Sequence, residues 1–222
     1  MDFGLIADSL PALLKGAGLT IVISLTALLF GVIFGTLFAL IRMSPVRPLA
    51  AFGVAYIEII RGTPLLAQIF LFFYGLPYVF QELFDLPLNF NPLVAGTAIL
   101  AINSSAYVAE IVRSGIQSTP RGQTEASLSL GFTPTDTLRY IVLPQAFRRI
   151  VPPLLNEATT LLKNSSLLST IMIVELVRVG QMITSRTYKP FEMYLAVGLL
   201  YLCMTIPMSL IAGRIEKRWK VA

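Results

Sequence analysis

The chain has 222 residues, 55% of them hydrophobic and 13% charged, with a net charge of +5 and a mean hydropathy of +0.76. A soluble domain carries nearer about 25% charged residues, so lipid is the expected solvent, and the length suits one integral-membrane domain over residues 1–222. The lack of His excludes imidazole metal sites and His-based acid–base chemistry, and the single Cys203 excludes an intrachain disulfide.

The start, Met1-Asp2-Phe3-Gly4, has no basic n-region and no short apolar stretch ending in a small-residue cleavage site, so insertion is expected through the spans themselves. A spanning helix needs about 20 apolar residues to cross about 30 Å of hydrocarbon. Residues 20–41 satisfy this without a charge, and they carry Gly31 and Gly35 at a spacing that permits close helix approach. A second candidate, 49–80, is interrupted by Glu58, Arg61, Gly62, Thr63 and Pro64, where proline removes a helix hydrogen bond and disfavours helical geometry at Thr63. The third, 92–109, runs into Glu110 and Arg113. The fourth, 150–179, is studded with Asn156, Glu157, Lys163, Asn164, Glu175 and Arg178, and a break is expected at Lys163-Asn164-Ser165-Ser166. The fifth, 193–213, is uncharged and contains Cys203, expected to be a small buried hydrophobe, and Pro207.

Five spans place the termini on opposite sides. One side would hold Arg42, Arg47, Arg113, Arg121, Arg139, Arg148, Arg149, Arg214, Lys217, Arg218 and Lys220, the other only Lys15, Arg186 and Lys189. The positive-inside rule makes the first side, with the C-terminus, cytoplasmic, and puts the N-terminus outside. The charge is thus distributed for membrane topology rather than for nucleic acid.

Residues 118–144, between the third and fourth spans, read as two short helices. Thr119 with Pro120 can start the first, and Gly131 can end it in a left-handed conformation. Thr133 with Asp136 forms a capping pattern for the second, with Pro134 at its first position and Pro144 expected to stop it. Ala126 and Ser127 would allow another protein to approach closely. An ordinary interfacial hairpin fits the same local signals.

Intramembrane ionisable groups normally face a partner, a cavity or a pathway. Glu58 and Arg61 are three apart and can share a helix face; Asn103, Tyr107 and Glu110 form one polar stripe. Lining a cavity is one reading: Arg61 and the backbone around Thr63 would meet a carboxylate, and Glu58 or Glu110 an ammonium. The other reading is structural, with Glu58–Arg61 or Glu110–Arg113 as internal ion pairs. Lys163, Asn164 and Ser165 are likewise either a gate in the pathway or a polar kink packed on a neighbouring subunit.

Glu125-Ala126-Ser127, then Gly131, then Ile141-Val142-Leu143-Pro144 resembles the EAA loop of ABC importer permeases, with Ser127 where that family often has a second alanine. The runs from Ile57 to Gln68, from Ser105 to Ile116 and from Lys163 to Leu167 resemble the polar amino-acid branch, and Asn103-Ser104 departs from the more apolar residues usual there. The resemblance implies an all-α type I importer permease with five transmembrane helices, a second permease subunit forming a homodimer or a heterodimer, two cytoplasmic ABC ATPases, an external substrate-binding protein and a bacterial inner-membrane location. It also implies that Glu125, Ala126, Gly131, Leu143 and Pro144 contact the ATPase. The chain has no Gly-x-x-x-x-Gly-Lys-Ser/Thr loop, so no catalytic residue, metal or cofactor is expected in it; ATP and Mg would be bound by the partner ATPase. Glu58, Arg61, Thr63, Asn103, Ser104, Tyr107 and Glu110 are the candidate substrate contacts. Two acids with few cations favour a basic side chain such as arginine or histidine, with glutamine the main competitor. Three rival classes remain: an ion-coupled secondary transporter, which normally needs more spans and has no use for the loop; a channel, whose filter would need a repeated ring-forming segment; and a membrane anchor, which would not need so many polar residues at depth.

Overall fold

The computed structural model describes residues 3–220, all of whose regular elements are helical. Four helices are long and apolar enough to cross a membrane: Phe3–Arg42, Leu65–Phe84, Pro92–Gln117 and Pro190–Trp219. A fifth span is available from the bent pair Pro134–Ile171 and Leu176–Thr187, which meet at 47°.

Helix α1 (Phe3–Arg42) begins well before residue 20 and would be about 60 Å long. Its buried stripe is mostly small or polar, Ser9, Gly16, Ala17, Thr20, Ser24, Ala27, Gly31, Gly35 and Ala39, with Leu13 and Ile23 the two large apolar members, while Leu25, Leu29, Ile33 and Leu37 stay exposed. This inside-out pattern suits lipid, where helices associate by close packing rather than by hiding leucine. The N-terminal part of the stripe, with Gly16 and Thr20, lies against Leu176 and Val179, and the part from Gly31 to Gly35 lies against α5 (Pro92–Gln117), the central helix. A Cβ at Gly35 would stand 2.6 Å from Val108 Cβ, and one at Gly31 would stand 2.9 Å from Ser104 Oγ, so both glycines mark real contacts. Helix α5 starts cleanly because the Asn91 side chain accepts from the N–H groups of Leu93 and Val94, with Pro92 at the first turn.

Helix α2 (Arg47–Gly62) ends at Thr63, which is extended at φ −115°, ψ 144°. The chain resumes as α3 (Leu65–Phe70), a π-helical turn and α4 (Leu76–Phe84), so the interruption expected at Gly62–Pro64 is present. Beyond α5, helix α6 (Arg121–Ser129) closes at Gly131, whose φ of +87° is the left-handed value that favours glycine. The next arm, α7 (Pro134–Asp136), is capped by Thr133, which accepts from the Asp136 N–H at 3.1 Å.

Four expectations fail here. Pro144 does not stop the helix: the chain passes through a π turn at Thr137–Val142 straight into α8 (Leu143–Asn164). The Leu143 N–H reaches back to Leu138 O, and the widened turn makes room where a proline ring would press on the carbonyl four residues before it. Thr119 caps nothing; its hydroxyl is buried without a hydrogen-bond partner, and α6 has no side-chain cap. The fourth span does not break at Lys163–Ser166, because it tightens into a 3₁₀ stretch, Ser165–Ile171. The Ser165 and Ser166 hydroxyls donate to carbonyls three residues back and keep the chain helical. The break comes later, at Met172 (φ 65°), before α9 (Leu176–Thr187). There Glu175, fully buried, accepts from the N–H groups of Val177 and Arg178 and from the Tyr201 hydroxyl. Helix α10 (Pro190–Lys220) lies at the periphery, and Cys203 on it is exposed rather than buried.

Candidate functional site

The break between α2 and α3 leaves carbonyls without helical partners, and side chains supply them. Thr63 Oγ1 donates to Ile59 O at 2.9 Å, and Gln68 Nε2 donates to Ile60 O at 2.7 Å. These two carbonyl oxygens are therefore engaged by side chains of the break itself. The same Gln68 accepts from Asn103 Nδ2 at 2.9 Å, joining α3 to α5. Asn103 is only 5% exposed.

Ser104, the next residue on α5, turns towards α8 and donates to Glu157 Oε1 at 2.8 Å. Glu157 forms no ion pair among the described residues. It was visible in the sequence as one polar group among several of the fourth span; the signal that separates it is its closure on a residue of the α5 stripe. A carboxylate within a candidate span, with a hydroxyl partner and no cation among the described residues, is the chemistry that receives an ammonium or guanidinium.

The other candidates separate. The Arg61 guanidinium lies 5.4 Å from the centre of the Tyr107 ring, a contact worth about 0.5–1 kcal/mol at an exposed position. It does not pair with Glu58. Glu58 is 63% exposed and reaches only Arg42, at 3.8 Å. Glu110 belongs to an ion cluster: Arg42 Nη1 donates to it at 3.0 Å, and the Arg113 guanidinium bonds both its oxygens. It joins the end of α1 to α5. Thr63 is occupied by the break. Lys163 is exposed, Asn164 half-buried and Ser165 buried, with its hydroxyl given to Leu162 O.

A cavity of about 730 Å³ lies elsewhere, along the α1–α5 seam. Phe30, Phe34, Phe38 and Tyr56 line it, with Tyr56 stacked on Phe38 at 3.7 Å between ring centres. None of Glu58, Asn103, Ser104 and Glu157 lines it, and its lining is mostly apolar.

In the loop, Glu125, Ala126, Gly131 and Pro144 are exposed and Leu143 is 46% exposed. Ser127 is buried instead: its hydroxyl meets Thr137 Oγ1 at 2.9 Å and ties α6 to the second arm, so it is not available for close approach by another protein. Gln145 Nε2 donates to Gln123 Oε1 at 2.6 Å and closes the hairpin again. A cleft of about 490 Å³ between the arms is lined by Ala126, Leu130, Phe132, Tyr140 and Pro144. Leu130, 80% exposed, is a large apolar side chain with no cover in its own chain.

A bundle of apolar helices with a broken second span, buried polar links at its centre and an exposed helical hairpin after the third span defines a membrane transport permease. Residues 27–221 match the family described as binding-protein-dependent transport system inner membrane component, and the chain belongs to it. It is 36% identical over 220 residues to the glutamine transport system permease protein GlnP of Escherichia coli (strain K12), covering 99% of this chain and 98% of that one. It is 34% identical over 218 residues to the glutamate/aspartate import permease protein GltK of Escherichia coli O6:H1, covering 98% and 97%. A solved structure described as an amino acid ABC transporter with histidines superposes with a TM-score of 0.90 at 39% identity, over 98% of this chain and 99% of that one. The chain is accordingly an amino-acid ABC importer permease of the type I fold, a membrane protein rather than an enzyme, with ATP hydrolysed in a separate subunit.

Proposed function

We propose that this chain is one half of a permease pair in a bacterial inner membrane, carrying amino acids with basic side chains, arginine or histidine. The observation that carries the reading is the Ser104–Glu157 hydrogen bond at 2.8 Å, a carboxylate at membrane depth with no cation of its own. Glu157 with the exposed Glu58 would hold the positive groups of the substrate. Arg61, steadied on Tyr107, and the uncapped N–H groups at the start of α3 would meet its carboxylate. Residues 118–144 are the ATPase-coupling segment, with Glu125, Ala126, Gly131, Leu143 and Pro144 on the docking side. The N-terminus lies outside and the C-terminus in the cytoplasm. A homodimer, two ATPases that bind ATP and Mg, and an external binding protein complete the importer.

Transport proceeds by alternating access. Closure of the ATPases on ATP moves the loop, and α8, continuous with the loop's second arm, carries that motion to Glu157. The second reading is glutamine import, favoured by the paired amides of Asn103 and Gln68 and by the name of the 36% identical relative.

The test is uptake by the assembled transporter in proteoliposomes with its binding protein. ATP-dependent, vanadate-sensitive accumulation of labelled arginine or histidine is expected. Accumulation of glutamine alone selects the second reading. Uptake that needs an ion gradient and ignores ATP overturns both.

A further inference from the structure

The carbonyls freed at the α2–α3 break fix which end of each neighbouring amide points where. Gln68 Nε2 stands 2.7 Å from Ile60 O and 3.2 Å from Thr63 O, and both of these backbone oxygens can only accept. It is also 2.8 Å from Thr63 Oγ1, whose own hydrogen is given to Ile59 O, so that atom accepts too. Every neighbour on this side is an acceptor, and the NH₂ of Gln68 must face them. Its Oε1 is thereby turned to Asn103 and takes a hydrogen from Asn103 Nδ2 at 2.9 Å. The Asn103 amide is oriented in turn, with its NH₂ spent on Gln68 and its oxygen on the other side. No donor among the described residues bonds that oxygen. The sealed-in, unpartnered side-chain atoms among them are the Thr119 and Thr184 hydroxyls, so Asn103 Oδ1, on a residue 5% exposed, is neither bonded nor wholly sealed.

We propose that Gln68 is a positioning residue for substrate selectivity: it locks Asn103 so that the α5 site presents a carbonyl acceptor, never an NH₂ donor. This rests on the reading of Asn103 and Glu157 as substrate contacts. A fixed acceptor favours ligands that bring N–H groups, such as a guanidinium, an imidazolium or a carboxamide NH₂. It rejects a side-chain carboxylate, because a buried oxygen facing an oxygen leaves both unpaired. Glutamine and glutamate, nearly equal in shape, are the sharpest probe pair.

The experiment is displacement of labelled arginine from the purified permease–ATPase complex, without the binding protein, by glutamine or by glutamate. In the wild type, glutamate is expected to need at least about tenfold more than glutamine, the scale of one hydrogen bond's polarity. Gln68→Met, which frees Asn103 to rotate, should bring the ratio down about tenfold. Asn103→Leu should do the same by itself, and Gln68→Met should add nothing to the ratio in that background. A Gln68 that merely supports the fold would weaken all three ligands alike and leave the ratio untouched, which overturns the proposal. So does an unchanged ratio in Asn103→Leu, a measurement that stands even where Gln68→Met fails to assemble. A wild-type complex that binds none of the three ligands overturns the site reading itself, and the proposal with it.

Discussion

The Ser104 hydroxyl and the Glu157 carboxylate meet at 2.8 Å across the contact between α5 and α8, 53 residues apart in the chain. Ser104 is fully buried, and its Oγ also lies where a side chain at Gly31 would go. Three helices thus converge on one polar contact, and α8 runs from it directly to the coupling loop.

Removing the donor leaves a carboxylate at membrane depth short of a partner. Ser104→Ala should cost about 1.5–3 kcal/mol, the usual worth of a hydrogen bond to a charged group, read as a lower thermal midpoint of the purified complex. Glu157→Gln keeps hydrogen-bonding capacity and should lose less stability, yet reduce arginine uptake by at least about tenfold. Equal uptake by wild type and Glu157→Gln would remove Glu157 from the substrate site.

Close approach of α1 to α5 depends on the absence of a Cβ at Gly35, where it would lie 2.6 Å from Val108 Cβ and 2.7 Å from Ser105 O. Gly35→Ala should destabilise by about 1–3 kcal/mol through overpacking. Gly18→Ala, with nothing within 4 Å, should leave the melting temperature unchanged or slightly raised, as helix-interior alanine is favoured over glycine. Equal melting of the two variants would mean that the helices are not held at this distance in the membrane.

Glu110 serves two arginines at once. Glu110→Gln leaves Arg42 and Arg113 without their shared carboxylate and should cost about 1.5–3 kcal/mol, towards the lower end because its side chain is 26% exposed. Arg42→Gln leaves the Glu110–Arg113 contact in place and should cost less. The order of the two melting temperatures is the check, and the reverse order would show that the cluster is not organised around Glu110.

The Thr133 cap holds the second arm of the loop in register. Thr133→Ala should cost about 1 kcal/mol, with Thr133→Ser restoring it. If this arm carries ATPase motion into α8, amino acid imported per ATP hydrolysed should fall in Thr133→Ala and recover in Thr133→Ser. An unchanged ratio would confine the cap to local stability.

Much of the architecture was readable because its causes are local. The excess of apolar residues, the Gly31/Gly35 spacing, the interruption before Pro64, the left-handed Gly131 and the Thr133 cap each follow from a few adjacent residues. Local chemistry misled where a polar side chain had two uses. The hydroxyls of Ser165 and Ser166 could have ended a helix or bonded back into it, and they do the latter. Pro144 has the chemistry of a helix terminator, and the π turn that lets the helix pass it leaves no clear mark in composition. Thr119 had the right identity for a cap and the wrong neighbours.

What the sequence determined by itself was the solvent, the number of available spans and the places where the backbone must bend, because hydropathy and proline or glycine stereochemistry act within a few residues. Which charge meets which was decided only by the packing. Helical periodicity puts Asn103, Tyr107 and Glu110 on one side of α5, but it does not say what stands opposite. Asn103 meets Gln68 from 35 residues away and Glu110 meets Arg42 from 68. Such partners are set by the angle and depth at which the helices pack, and those are properties of the bundle rather than of any one segment.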